Sequence, residues 1–214
     1  MCVNSLDIQM LEFTMLRGIP APLDEADIDT DIIFPARFLL LMNKKGLAKH
    51  LFKERRKNGV KKSNFILDTP PYTNTQILVT GPRFGIGSSR EQAVWALSEF
   101  GIRCIIAPSF GDIFFANCFK NGLLPITLDV EEHKRLMHAA KNAGAITIDL
   151  KSQIISLNQH KITFDVPSRG KELLLSGLDE TAEILRHETA SIDEFEKQQR
   201  QKMPWLYSNI NTQS

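Results

Sequence analysis

An α/β fold is what this sequence predicts, with a mixed sheet and helices at the C-terminal end. Three observations carry that expectation. Residues 76–80 (QILVT), 102–107 (IRCIIA) and 124–128 (LPITL) are short apolar runs of strand composition. Two segments of helical spacing separate them, so the stretch reads β-α-β-α-β, and parallel pairing with right-handed crossovers follows. Residues 154–157 and 161–166 then flank Asn158-Gln159-His160 as a hairpin, which adds antiparallel pairing.

Taken in order, residues 11–19 suit a strand. A turn-rich stretch follows, with Pro20, Pro22, Asp24, Asp27, Asp29 and Asp31. Residues 38–52 are compatible with a helix, and the polar residues 53–64, holding Gly59, read as an exposed loop. Pro70-Pro71-Tyr72 reads as a rigid extended link. Residues 81–89 are glycine-rich. In the helix at 90–100, Ala93, Val94, Leu97 and Phe100 share a side, and Gly101 is the stop. The strand at 102–107 is apolar enough to be buried on both faces. Pro108 to Gly111 forms a turn, and residues 112–121 a helix closed by Gly122. An amphipathic helix at 131–142 ends near Gly144, and a strand occupies 145–150. Two short helices are expected at 177–187 and 191–202. A single domain over residues 1–207 is expected, with 208–214 a disordered tail.

Composition narrows the function classes. The chain has 214 residues, is 43% hydrophobic and 24% charged, and carries a formal net charge of +1. That balance gives no bulk electrostatic case for a nucleic-acid or membrane partner. No run approaches the ~18 apolar residues of a spanning helix. The first ten residues hold Asn4, Asp7 and Gln9 where a signal peptide has a basic start and an apolar run. A cytoplasmic protein with reduced thiols is the expectation. Cys2, Cys104 and Cys118 are odd in number and widely spaced, so they form neither a disulfide framework nor a close group of cluster ligands. Burial suits Cys104 and Cys118.

The string Gly81-Pro82-Arg83-Phe84-Gly85-Ile86-Gly87-Ser88-Ser89-Arg90-Glu91 joins a strand to a helix. A helix start offers unpaired N–H groups and partial positive charge, which suits an anion. Two familiar phosphate loops fail here. A dinucleotide fingerprint needs glycine where Arg90 stands, and a P-loop needs Lys before its Ser or Thr, where Ser88 and Ser89 follow the last glycine directly. What remains is two hydroxyls and a guanidinium, and arginine forks onto a carboxylate. The residues therefore point to a carboxylate ligand at a helix start, with a serine near its carbon skeleton. The alternative is that Ser88 or Ser89 merely caps the helix.

The string FGIGSSRE followed by an Ala/Trp/Leu helix resembles the signature of the swivelling domain of the aconitase superfamily. Asp29-Thr30-Asp31-Ile32-Ile33-Phe34-Pro35 is similar to the DTD-x-IIP stretch of isopropylmalate isomerase small subunits. Residues 107–114 (APSFGDIF) and 121–125 (NGLLP) resemble two further segments of that family. Gly177-Leu178-Asp179, His187-Glu188 and Pro204-Trp205-Leu206 resemble its C-terminal helices. The likeness runs in order over residues 11–207.

The resemblance implies a swivelling β/β/α domain like the aconitase C-terminal domain. It implies a separate large subunit that carries a [4Fe–4S] cluster, with no cofactor bound by this chain. The implied reaction removes water from 2-isopropylmalate and returns it to the neighbouring carbon, a step of leucine biosynthesis. Ser88 is then the base and Arg90 the carboxylate clamp. Gly85, Gly87, Ser89, Asp29, Thr30 and Asp31 are expected to line the substrate site. The cluster iron would act as a Lewis acid on the leaving hydroxyl. A serine alkoxide needs strong positive potential, which the helix start and Arg90 supply.

Residues 38–56 match the family's substrate-recognition loop at Gly46, Leu51, Phe52 and Arg56. Lys44 stands where Arg is common and Arg55 where Trp is common. Within the signature, Arg83 replaces Asn, Ile86 Cys, Gln92 His and Val94 Pro. These departures bear on the substrate: citraconate, dimethylmalate or homoaconitate are alternatives, as is a non-catalytic carboxylate-binding module. An added cation at Arg83 favours a more acidic substrate or sits in solvent. The aspartates at 27, 29 and 31 are not an EF-hand, because Ile32 and Phe38 occupy its glycine and glutamate positions. Turn-forming hydrogen bonds suit them. His50, His133, His138, His160 and His187 share no metal-like spacing, and surface or packing roles are expected for all five.

Overall fold

A computed structural model describes residues 10–41, 43–56, 65–87, 90–178 and 180–207; the side chains of residues 180, 181, 183, 184, 186 and 187 lie outside that description. The described residues fall into two compact units, Met10–Gly177 and the segment from Leu178 onward. Most of the basic run at 53–62, and all of residues 208–214, lie outside the described residues.

The first unit holds two four-stranded sheets. One is parallel, in the order β2 (Ala21–Leu23), β3 (Ile77–Thr80), β4 (Cys104–Ala107), β5 (Leu124–Thr127). The other is antiparallel, in the order β1 (Met15–Gly18), β6 (Ile146–Asp149), β7 (Ile154–Leu157), β8 (His160–Thr163). The parallel and antiparallel pairings expected from sequence are thus apportioned to separate sheets. Their helices are α1 (Thr30–Ile33), α2 (Glu91–Phe100), α3 (Asp112–Lys120), α4 (Val130–Lys141) and α5 (Ser168–Ser176).

The side-chain alternation of the parallel strands builds the layers. Ile77, Val79, Cys104, Ile106, Leu124 and Ile126 point into one core with Ile146, Ile148, Ile155 and Ile162 of the antiparallel sheet. Leu136, Met137 and Ala140 of α4 and Leu174 of α5 close that core. Leu78, Ile105 and Ala107 point the other way, onto Ala93, Val94, Ala96 and Leu97 of α2 and Phe114 and Cys118 of α3. This is a β/β/α arrangement with the parallel sheet in the middle. Burial on both faces explains why β3 and β4 are continuously apolar. Each fully buried Ile or Leu contributes about 1.5–3 kcal/mol.

Several expectations need correction. Pro22 was placed in a turn-rich stretch, yet it lies within β2. That strand is at the sheet edge, where a missing N–H costs no ladder bond. Residues 38–52 do not form a helix. Two 3-10 turns, Ala36–Phe38 and Ala48–His50, flank a turn in which the Asn43 side chain accepts from Lys45 N (2.9 Å) and Gly46 takes φ +85°. Glu99 of α2 fixes that turn by accepting from the N–H groups of Gly46 and Ala48. The Pro70-Pro71 segment turns instead of extending, with a cis bond.

Helix α5 has no counterpart among the expected elements, and it contains Gly170. The glycine is a packing necessity: a Cβ there would lie 2.6 Å from the Phe119 ring.

The second unit contains α6 (Glu180–Lys202), one continuous helix where two were expected, and a 3-10 turn at Pro204–Leu206. The helix runs unbroken through residues 188–190, between the two expected segments. The Thr189 hydroxyl donates to the Leu185 carbonyl within the helix. Arg200 reaches Glu196 at 3.1 Å and lies 5.1 Å from the Tyr207 ring, which ties the turn to the helix end. Among the described residues, no helix is long and apolar enough to cross a membrane.

Candidate active site

The parallel strands end at a common edge, and the loops leaving β3 and β4 meet there. Loop residues 81–87 are held by backbone bonds on both sides. Gly85 N donates to Ile28 O (2.7 Å) and Thr30 N to Ile86 O (3.0 Å). Phe84 N donates to Ser109 O (3.1 Å), and Gly111 N returns a bond to Phe84 O (2.9 Å). The loop is thus woven between the segment before α1 and the turn before α3. Gly85 has φ +72°, and a Cβ on it would sit 2.2 Å from the Phe114 ring, so no other residue fits.

A cavity of about 220 Å³ opens at this point, lined by Thr30, Gly85, Gly87 and Arg90 on one side. Gly111, Asp112, Ile113 and Phe114 at the start of α3 form the other wall. Sequence reasoning had picked out the first four and missed the second four. The signal was present in the APSFGDIF segment, because ligands in open parallel sheets gather beyond the carboxyl ends of neighbouring strands.

Arg90 occupies the N-cap position of α2, with φ −110° and no side-chain cap bond. The alternative in which Ser88 or Ser89 takes the cap position therefore does not hold. Arginine stands at the cap, and its side chain lines the cavity instead of bonding the first turn of the helix. Ser88 and Ser89 themselves lie outside the described residues.

The Arg90 side chain is mostly buried and ion-paired with Asp31. The adjoining Arg90 guanidinium, and then the 2.7 Å bond from Ala36 N, hold the Asp31 carboxyl below its ordinary range, although partial burial opposes them. Nη1 of Arg90 is in close charge contact with Asp31, yet among the described residues no acceptor is aligned with its N–H bonds. The charge contact acts on Asp31 irrespective of that alignment, and the guanidinium keeps unspent donor capacity.

Asp29 is used structurally: its Oδ1 accepts from Ile32 N at 2.7 Å and caps α1. Arg83 neither reaches the cavity nor floats in solvent unpaired. Its guanidinium forks onto Asp27, lowering the carboxyl pKa and raising its own. Ile86 contributes only backbone bonds to the site, and Val94 is in the core. None of these three departures from the family pattern adds an unpaired charge to the cavity.

Comparison with known proteins identifies the family. Residues 10–131 match the aconitase C-terminal domain family. A 3-isopropylmalate dehydratase small subunit from Dinoroseobacter shibae is 50% identical over 92% of this chain and 100% of its own. One from Gluconacetobacter diazotrophicus is 48% identical over 92% and 97%. The chain belongs to the 3-isopropylmalate dehydratase small-subunit family. A crystal structure of 3-isopropylmalate dehydratase from Methanocaldococcus jannaschii superposes with a TM-score of 0.62 at 26% identity. It covers 84% of this chain and 99% of that one.

For a dehydratase small subunit, the described residues do not fit an iron–sulphur cluster. Cys104 and Cys118 are fully buried, on opposite sides of the parallel sheet. Burial pushes both thiols well above their ordinary range, and Cys118 adds to the effect on Cys104. Among the described residues, no group of three or more His, Cys, Asp or Glu is disposed to hold a metal. The histidines whose side chains are described have packing and surface roles. His133 Nε2 lies 2.6 Å from Thr80 O, pinning α4 to the end of β3, and His50 stacks on Phe38 at 3.9 Å. His160 contacts Glu132 at 3.0 Å, and the side chain of His187 lies outside the described residues.

Proposed function

We propose that this chain is the small subunit of a hydro-lyase that isomerises 2-isopropylmalate to 3-isopropylmalate by removing and returning water, a step of leucine biosynthesis. The observation that carries the reading is Arg90. A half-engaged guanidinium at a helix start faces a small cavity floored by glycine backbone. That combination suits a carboxylate, because a planar fork and helix-start amides both favour it.

Each proposed role follows from that placement. Arg90 holds one substrate carboxylate. Ser88, two residues before it, takes the proton from the carbon beside the hydroxyl-bearing one and later gives it back. A hydroxyl is a weak acid, so its anion needs the positive potential of Arg90 and the α2 start. Gly85 and Gly87 let the acid approach the backbone, and Thr30 and Ser89 offer hydroxyls. Asp29 and Asp31 act through what they hold, the α1 cap and the Arg90 fork.

The [4Fe–4S] cluster belongs to a large-subunit partner, as the small-subunit names of the relatives support. No step is assigned to it through this chain. The complex works in the cytoplasm. The pairing of Arg83 with Asp27 supports isopropylmalate over a more acidic substrate.

The test is Ser88→Ala in the chain reconstituted with a 3-isopropylmalate dehydratase large subunit. Turnover should fall by at least about 10²-fold, the scale of a lost proton-transfer group. Folding and pairing should persist, and near-normal turnover would remove Ser88 as the base.

A further inference from the structure

The NGLLP segment contains a polar side chain that the proposed chemistry leaves unexplained. Asn121 is the C-cap of α3, with φ −116°. Its Nδ2 donates to Glu91 Oε1 (2.8 Å) and to Asn117 O (2.9 Å). Its Oδ1 accepts from Lys44 Nζ at 3.4 Å, and that ammonium lies 5.1 Å from the Trp95 ring of α2. One amide thereby links the recognition-loop segment, the end of α3 and the first turn of α2.

Glu91 immediately follows Arg90. Its carboxylate is the nearest negative charge in sequence to the guanidinium that the substrate must engage. An untethered Glu91 would compete for that guanidinium with the incoming carboxylate. The cavity is also bounded by the starts of α2 and α3, so its width depends on how those helices are fixed together. Phe114 against Gly85 fixes one place. The Asn121–Glu91 bond fixes another, in the first turn of α2, and a hydrogen bond to a charged acceptor is the stronger kind.

We propose that Asn121 is a positioning residue: it holds Glu91 away from Arg90 and locks the first turn of α2 to α3, so that the Arg90 fork stays presented to a substrate carboxylate. The inference rests on the reading of Arg90 as the carboxylate clamp.

Asn121→Asp tests it with little change of shape. The backbone at this position suits aspartate, and the new carboxylate faces Glu91. In the reconstituted pair, KM for 2-isopropylmalate should rise about tenfold, the loss of one such contact, with kcat within about threefold. Glu91→Gln combined with Asn121→Asp lets the Gln amide donate to the new carboxylate, and KM should return to within about threefold of the parent. A cap with no role at the site predicts lower thermal stability, unchanged KM and no rescue. Unchanged KM in Asn121→Asp, or a raised KM without rescue, overturns the proposal.

Crystal structures of the parent and Asn121→Asp chains decide the matter independently of turnover. Displacement of residues 87–91 relative to α3 supports positioning, and superposable loops refute it. A parent pair that is inactive on isopropylmalate would instead sink the functional reading.

Discussion

Asp31 and Arg90 form a pair with a stated electrostatic consequence. The Asp31 carboxyl is held low, first by the adjoining Arg90 guanidinium and then by Ala36 N. A carboxyl with a folded pKa below its unfolded value of about 3.9 stabilises the fold at pH above that value. The contribution disappears as pH falls through the lower folded value. Asp31→Asn should therefore be less stable than the parent by a constant margin above about pH 5. The margin should close below about pH 4, as read from chemical unfolding at a series of pH values. The Asp31 side chain is 51% exposed, so about 1 M salt should shrink the margin at neutral pH. A margin that widens in acid would show that Asp31 is not charged in the folded chain.

At the scale of elements, the contact between loop 81–90 and α3 rests on one missing side chain. A methyl group at residue 85 meets the Phe114 ring at 2.2 Å on backbone with φ +72°. Overpacking and positive φ both oppose it, so Gly85→Ala should lose about 2–4 kcal/mol in unfolding experiments. Adding Phe114→Leu should recover only the packing share, since the backbone cost remains; full recovery would show that φ is not a constraint there. The sequence made α2, α3 and their strands legible because both-face burial leaves continuous apolar runs, and helical spacing separates them. Residues 38–52 misled because their conformation is set from outside, by Glu99 accepting from Gly46 and Ala48. Helix α5 was hidden, and its Gly170 is a contact with Phe119. Of the site, the Gly85, Gly87 and Arg90 loop could be read from local chemistry, and Thr30 from the family resemblance alone. The Gly111–Phe114 wall and the Asp31–Arg90 pair could not, since each depends on which segments the sheet makes neighbours.

Over the whole of the first unit, the middle sheet presents one face to the antiparallel sheet and the other to α2 and α3, and each core contains one cysteine. Cys104 lies in the first core and Cys118 in the second, both without solvent exposure. Thiolate is the form that reacts and that binds iron, and burial suppresses it at both positions. Neither thiol can become a ligand without opening a core: the one between the two sheets for Cys104, the one between the parallel sheet and α2 and α3 for Cys118. In a Cys2→Ser background, a thiol reagent should leave the native chain unlabelled and modify both remaining cysteines in denaturant. Labelling under native conditions should proceed only as fast as the chain opens, and should slow when the fold is stabilised. Iron and sulphide supplied to the isolated chain should produce no visible absorbance, whereas the same treatment of the pair with its large subunit should. Fast native labelling, or a coloured isolated chain, would mean that the division of labour between the two subunits has been drawn in the wrong place.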